Sequence, residues 1–497
     1  MAMTDKTERP DKYSTGTEDG LITGQEKAAA QRCMEKALAK GASQVRISLN
    51  KSVLDSYSVL NGELDKVMHS ADRAISLYLF YEGRYGTFST NMLDDTNLDG
   101  FVSRAMETAR ILAPDKFRRL PDVSRTAKDA ITGKEAGLYD GQYAMLSAED
   151  RLKTALSGPI YGDSRKTEET FPDSGMDMPA TDKKFSMVSE EFEYSDSLDD
   201  NYTIDSQGFC GRHIETSFSC CSEITVADMD GNRFSGYWWD YSPFSGHIGI
   251  SGCSEEALRR AAAQIGPVRI KGGKYTMVVD RCVSSRLVAP LFSALNTLSI
   301  QQKNSFLDGS IGRKVLSDRL TIMDMARTPG KPGSRLYDSE GVATSDSPVI
   351  LGGKVMEYFT TTWMSGKTGM PATTEGISRP VLSPCMPERE SCRNKDAFCD
   401  SHEKEISLHA ILNLCGDGIY VCGFNGGNCN PVTGDFSYGA EGFFFRGGKI
   451  VSPVREMLVT GNMVTLWNNL LAAGSDAREC SRWQIPTLAF KDVDFSA

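Results

Sequence analysis

Leu54-Asp55-Ser56-Tyr57-Ser58-Val59-Leu60-Asn61-Gly62-Glu63-Leu64-Asp65-Lys66-Val67-Met68-His69 is the stretch that sets the fold class. Asn61-Gly62 is a strong short hairpin signal, because both residues tolerate the positive φ that a tight turn requires. Residues 54–60 are therefore expected to fold back onto residues 63–69. A second hairpin follows, with residues 74–81 turning at Glu82-Gly83 into residues 84–89, and residues 45–49 read as a strand ahead of both. Helices flank these strands. Residues 25–42 place Ala28, Cys33, Ala37 and Leu38 on one side, with Gly41 as the stop. From Thr96 onward, Leu98, Phe101, Val102, Ala105, Met106 and Ala109 recur at helical spacing. Helix, antiparallel sheet and closing helix make an N-terminal α+β domain, assigned to residues 25–125 after a flexible N-terminus of residues 1–24.

Residues 114–140 are rich in Pro, Asp, Lys and Arg and mark a boundary. A middle region, 126–266, contains strand-like residues 191–194 and 223–227 and a helix over 255–263, for which Ser254 is the expected cap. The third region, 267–497, is the larger β-rich C-terminal domain. It opens with a strand at 275–279 and continues in short strands and hairpins. Asn462 and Gly474 bracket a last helix, on which Met463, Trp467, Leu470 and Leu471 share a face.

Composition narrows the function classes. The 497 residues are 40% hydrophobic and 24% charged, with mean hydropathy -0.32 and no apolar run near the roughly 20 residues that span a bilayer. A net charge of -11 argues against holding nucleic acid through phosphate neutralisation. The first twenty residues are polar and read as a loose terminus, not a signal peptide, so a cytoplasmic location is expected. Thirteen scattered cysteines fit reduced thiols better than a disulfide framework.

Motifs for chemistry are sparse. A zinc helix of the His-Glu-x-x-His type needs imidazoles four residues apart. The one His-Glu pair, His402-Glu403, has Ile406 at that spacing, and His409 is seven residues on, about 10 Å along a helix. The expected structure there is an exposed turn ahead of a strand beginning near Ile406. Cys385, Cys392 and Cys399, and likewise Cys415, Cys422 and Cys429, are seven apart, whereas zinc knuckles pair ligands two to four apart. Gly423-Phe424-Asn425-Gly426-Gly427-Asn428 lacks the pattern of a dinucleotide or phosphate loop and reads as backbone bent sharply between strands.

Beyond this loop runs Asn430-Pro431-Val432-Thr433-Gly434-Asp435-Phe436-Ser437-Tyr438-Gly439-Ala440-Glu441-Gly442-Phe443, followed by Gly448-Lys449-Ile450, Pro453-Val454-Arg455-Glu456 and Gly461-Asn462-Met463. Residues 418–476 thereby resemble the C-terminal signature of the TldD/PmbA (modulator of DNA gyrase) family, on its TldE/PmbA branch. Tyr337-Asp338-Ser339-Glu340-Gly341-Val342 is a second match, and Asn61-Gly62-Glu63 and residues 85–91 are weaker ones.

The resemblance implies a cytosolic protein that assembles with a TldD-like catalytic subunit into a zinc peptidase acting on unfolded or extended peptides, with a homodimer as the alternative assembly. In TldD-like chains two histidines and a glutamate on one helix, with a cysteine from the signature, make the metal site. Residues 284–296 stand in the helix position and carry Arg286, Val288, Pro290 and Phe292 but no histidine or glutamate. The signature reads Phe-Ser-Tyr-Gly-Ala-Glu from Phe436 where the cysteine is expected. No catalytic residue, metal ligand or bound cofactor is therefore assigned to this chain, and zinc is expected in the partner. The candidate residues are Asn430, Thr433, Gly434, Asp435, Ser437 and Glu441, which either shape the signature turn or line a substrate cleft. Three readings compete. The first is a silent subunit whose strand edges bind extended peptide, the second an independent peptidase with an unrecognised site, and the third a non-proteolytic modulator that binds a protein such as DNA gyrase.

Overall fold

Asn61 and Gly62 adopt φ of 51° and 81°, and Glu82 and Gly83 adopt 47° and 72°, so both expected turns form. The computed structural model describes residues 20–162, 183–387 and 406–496. β1 (Gln44–Leu60) and β2 (Glu63–Tyr81) pair antiparallel from Gln44 opposite Phe80 to Leu60 opposite Glu63, with one bulge at Ser58/Val59. The two expected hairpins are thus one long ribbon joined to a short β3 (Arg84–Thr90), and the break expected between residues 69 and 74 does not occur. Continuous backbone partners on β1 keep that polar stretch extended although its side chains face water.

β4 (Phe185–Asp205), β5 (Cys210–Asp228) and β6 (Arg233–Ser242) add to the other edge of β1, giving the order β3-β2-β1-β4-β5-β6. One sheet therefore draws strands from both sides of residue 125. The helix Gly24–Ala39, with its Thr23/Glu26 capping box, and the helix Asp95–Ile111, capped by Asp94, bury an apolar stripe on one face of it. Their Ala30, Cys33, Leu98 and Val102 meet Val45, Ile47, Leu49, Leu77 and Leu79. The helix Ile250–Ala263 packs on β5 and β6. It starts five residues ahead of the expected position, and Ser254 lies inside it instead of capping it. Buried there, the Ser254 hydroxyl donates to Ser222 Oγ at 3.0 Å.

The larger C-terminal part contains β7 (Gly273–Val279), β8 (Ile322–Asp324), β9 (Ser347–Leu351), β10 (Lys354–Val355) and β11 (Pro380–Leu382). It continues with β12 (Gly418–Cys429), β13 (Asp435–Arg446), β14 (Lys449–Asn462), β15 (Leu470–Ala473) and β16 (Leu488–Ser496). β8 to β11 form a small sheet, and the rest form a second six-stranded sheet in the order β14-β13-β12-β7-β16-β15. β14 also pairs with β16, so that sheet closes on itself. The chain is α+β, with a larger β-rich C-terminal part.

Three local expectations fail here. Gly423 to Asn428, expected as a sharp bend between strands, lie inside β12, where register shifts opposite β13 absorb the irregularity. The last helix covers only Met463–Asn468, and Leu470 begins β15, because the edge of β16 takes Leu470 to Ala473 as ladder partners. Ile406 begins no strand. It leads through the Ser407 cap into the helix Leu408–Cys415, which carries His409 exposed. His402 and Glu403 lie outside the described residues. Among the described residues no helix is long and apolar enough to cross a membrane.

A buried joint links the two parts. Arg46 of β1, 5% exposed, donates from its guanidinium to the carbonyls of Ser339, at 3.0 Å, and Glu340. The neighbouring Asp338 carboxyl accepts from the backbone amides of Glu340 and Val342 at 2.9 Å and of Glu375 at 3.1 Å. Burial, then the charges of Glu375 and Glu340, push it up to about 7.

Trp467 is fully buried, donates to the Leu287 carbonyl at 3.2 Å and meets Phe490 edge-on at 5.3 Å. Trp467→Ala should cost about 3 to 5 kcal/mol, and Asp435→Ala, on an exposed turn, should cost less; thermal melts test the ranking. The Asp338 shift predicts a pH effect. Below its ordinary value of 3.8 both folded and unfolded forms hold the proton, and between about 4 and 7 the unfolded chain ionises first. Stability contributed by Asp338 therefore falls as pH rises through that window. Asp338→Asn should gain stability relative to the wild type as pH rises from 4.5 to 7.5, and parallel denaturation curves would refute this.

Candidate functional site

The signature turn is built from its own side chains. Asn430 Oδ1 accepts from the amide of Val432 at 2.9 Å, and Gly434 turns the chain at φ 79°. Thr433 Oγ1 donates to Asp435 Oδ2 at 2.7 Å, while Asn462 Nδ2 donates to Asp435 Oδ1 at 2.9 Å and to the Thr433 carbonyl at 2.8 Å. These donors, Asn462 first, hold the exposed Asp435 carboxyl below its ordinary value. Asn430, Thr433, Gly434 and Asp435 are thus brought together as one turn, tied to the end of β14.

β13 then carries the signature between two environments. Phe436, Tyr438 and Ala440 point into the core, where they meet Leu287, Val288 and Leu291 of the helix Ser285–Ala294. Strand alternation puts Ser437 and Glu441 on the opposite face. The helix holds Pro290 and exposes Arg286 and Ser293. The Arg286 guanidinium lies 5.2 Å from the Tyr438 ring centre and donates weakly, at 3.4 and 3.5 Å, to the carbonyls of Gly426 and Gly427 at the tip of β12. Cys429, opposite Phe436 in the ladder, carries a thiol raised by burial and by Asp435.

The helix and the signature strand thus meet over the buried Tyr438 ring, and the polar groups near the contact are the Arg286 guanidinium and the hydroxyls of Ser293 and Ser437. Zinc needs imidazole, thiolate or carboxylate donors converging on one point. Among the described residues no three His, Cys, Asp or Glu side chains gather as a metal site. The residues present at this junction do not fit the ion.

Glu441 lies apart from the turn and lines a cavity of about 320 Å³ between β6, the helix Ile250–Ala263 and β12 to β14. Trp238, Trp239, Arg260, Cys282, Cys422 and Arg455 share its wall. The Trp238 ring is contacted by two guanidinium groups, Arg478 at 3.9 Å and Arg260 at 4.4 Å. Behind it, fully buried Asp280 accepts from Tyr420 Oη and from the Cys282 amide. Burial alone would raise this carboxyl, but Arg260 at 3.7 Å and the Tyr420 and Cys282 donors hold it below its ordinary value. Burial and Asp280 push the Cys282 thiol up to about 12, so it is protonated near neutrality and a poor nucleophile.

Sequence reasoning did not single out Trp238, Trp239, Arg260, Asp280, Arg455 or Arg478. One signal was available. Two of only five tryptophans are adjacent, and both line this cavity from β6.

Comparison with known proteins places these features. Residues 272–497 match the family model described as the PmbA/TldA metallopeptidase C-terminal domain, and residues 45–109 match PmbA/TldA metallopeptidase domain 1. Metalloprotease PmbA of Escherichia coli O157:H7 is 23% identical over 466 residues, covering 92% of this chain and 93% of that protein. The crystal structure of a candidate modulator of DNA gyrase from Bacteroides thetaiotaomicron is 35% identical, with TM-score 0.83, covering 96% of this chain and all of that one. TldE from Thermococcus kodakarensis shares the fold at TM-score 0.75 and 14% identity, over 94% of this chain and 100% of that one. From the signature on β13 to the domain built around β1, this chain belongs to the PmbA/TldD family of metallopeptidase-like proteins.

Proposed function

We propose that this chain is a TldE/PmbA-like subunit of a two-component zinc peptidase, itself without zinc ligands, which shapes a cleft for unfolded or extended peptides. The observation that carries this reading is the meeting of helix Ser285–Ala294 with β13, where Arg286 lies over Tyr438. In TldD-like relatives the resemblance puts the metal ligands on this helix and strand. Here the same scaffold presents a cation and hydroxyls over a buried aromatic ring. A hydrolytic centre needs a metal-bound or otherwise activated nucleophile and a base, and this junction offers neither.

A role in holding peptide has separate support. Residues 63–74 of β2 pair only with β1 among the described residues, because β3 covers β2 from Ile75 onward. Such an edge presents unpaired amides and carbonyls to an extended chain or to a partner's strand. Leu64, Val67 and Met68 are exposed along it.

The isolated chain is expected to hold no stoichiometric zinc after dialysis, as elemental analysis would show. About one zinc per chain, lost on replacing His402 or His409, would contradict this. Mixing the chain with a TldD-like partner and an unstructured peptide should give chelator-sensitive cleavage, and the chain alone should give none. Chelator-sensitive cleavage by the chain alone, persisting through further purification, would assign the chemistry to this subunit and overturn the reading.

A further inference from the structure

A second cavity, of about 260 Å³, opens where the first sheet meets the Tyr337-Asp338-Ser339-Glu340-Gly341-Val342 segment. Tyr78, Phe80 and Tyr85 of the sheet wall one side, and Phe359 and Trp363 wall the other. Three arginines, Arg46, Arg118 and Arg119, and two acids, Glu340 and Glu375, also line it. The acids already accept from the protein. Glu340 Oε2 takes the Thr362 amide at 2.8 Å, and Glu375 takes the Ser339 amide at 3.1 Å and the Arg335 guanidinium at 3.3 Å.

The arginines are not matched in the same way. Arg118 lies 3.5 Å from the Trp363 ring centre and 4.6 Å from that of Tyr85, and among the described residues its guanidinium makes no hydrogen bond or ion pair. Stacking occupies the flat faces of a guanidinium and leaves its in-plane N–H groups for an acceptor. Trp363 is fixed in turn, its indole N–H donating to Asp115 Oδ2 at 2.8 Å. Arg46 is buried and spends two nitrogens on the Ser339 and Glu340 carbonyls, and its Nε has no partner among the described residues. Arg119 stands exposed at the rim. The cavity therefore offers an aromatic lining, engaged acids and an unengaged planar cation.

We propose that this cavity binds an aromatic carboxylate, its ring against Tyr78, Phe80 and Phe359 and its carboxylate on the in-plane donors of Arg118, with Arg119 at the mouth. A carboxylate is the planar two-oxygen complement of a guanidinium fork. The volume suits one amino-acid-sized group and lies just under the range of drug-sized pockets. Both the C-terminal residue of a peptide and a free aromatic acid carry this chemistry. The inference does not depend on the peptidase reading.

Calorimetric titration of the full chain tests it with four probes: N-acetylphenylalanine, its amide, a hexapeptide ending in free phenylalanine, and that peptide's C-terminal amide. Each acid should bind at least about tenfold more tightly than its amide, the loss expected when a charge-assisted hydrogen bond is removed. Tighter binding of the peptide acid than of N-acetylphenylalanine identifies a peptide terminus as the source, and equal affinity identifies a free acid. Arg118→Gln should weaken both acids about tenfold and leave the amides unchanged. If that variant does not fold, the acid-to-amide ratio on the wild-type chain decides alone. Equal binding of acid and amide, no binding of any probe up to about 10 mM, or a folded Arg118→Gln variant that binds the acids as the wild type does would each overturn the proposal.

Discussion

The fold depends on β1 being paired along both edges. Its residues meet β2 from Gln44 to Leu60 and β4 from Arg46 to Leu60, so nearly every backbone group of a 17-residue strand is satisfied within the sheet. A slip of one residue would carry Val45, Ile47 and Leu49, all fully buried, to the opposite face. The tight turn at Asn61-Gly62 fixes the register of β1 on β2, the turn at Glu82-Gly83 that of β2 on β3, and the helices Gly24–Ala39 and Asp95–Ile111 lock the buried face. From the same strand Arg46 reaches out to the Ser339 and Glu340 carbonyls, which ties the register of the first sheet to the position of the C-terminal part.

What could be read from the sequence follows from whether the governing interaction is local. Asn61-Gly62 was legible because both residues tolerate positive φ, and Glu82-Gly83 through its glycine alone, since Glu82 takes φ 47° against its own preference. The extent of the helix Gly24–Ala39 and its stop at Gly41 were legible because they lie within one segment, but its stripe was only half so: Cys33 and Ala37 are buried as expected, whereas Ala28 and Leu38 are exposed and Ala29, Ala30 and Met34 face the sheet in their place. The pairing of β4 with β1 spans more than a hundred residues, and no local pattern at residues 185–205 names that partner. The last helix shows the same limit. Met463, Trp467 and Leu470 are all buried as their spacing indicated, yet Leu470 is buried from a strand, because the edge of β16 competes for it. In the candidate site, the turn from Asn430 to Asp435 was readable from short-range Asx and hydroxyl chemistry. The cavity beside Glu441 was not, since its wall joins β6, a helix and three strands from distant parts of the chain.

The two cavities use arginine in different ways. Beside Glu441, Arg260 reaches buried Asp280 and Glu256 while contacting Trp238, so its charge is spent inside the protein. A guanidinium paired in this manner stabilises a joint between layers, because removing either partner would leave a buried charge exposed to a low dielectric. Among the described residues Arg118 is held by rings alone, with no hydrogen bond or ion pair to its guanidinium. Arg455, on the wall of the first cavity, lies over the Phe234 ring, whereas Arg118 stands between two rings of the second.

The signature on β13 therefore needs two explanations. A Cβ at Gly427 would sit 2.0 Å from the Ser437 carbonyl oxygen, and one at Gly442 would sit 1.9 Å from that of Tyr420. Real Cβ atoms do not approach backbone that closely, so glycine at these positions is demanded by the contact of β12 with β13, whatever chemistry the strands support. The same holds for Asp435, whose carboxylate is consumed by Asn462 and Thr433. These residues would be required in a catalytic chain and a silent one alike. The proposed function rests instead on side chains that the strand contact does not consume: Arg286 on the helix, Ser437 and Glu441 on the outer face of β13, and Arg455 at the cavity wall. At these positions this chain presents cations, a hydroxyl and one carboxylate in place of a converging ligand set. That arrangement is what supports the proposed reading of a subunit that holds and orients a polypeptide.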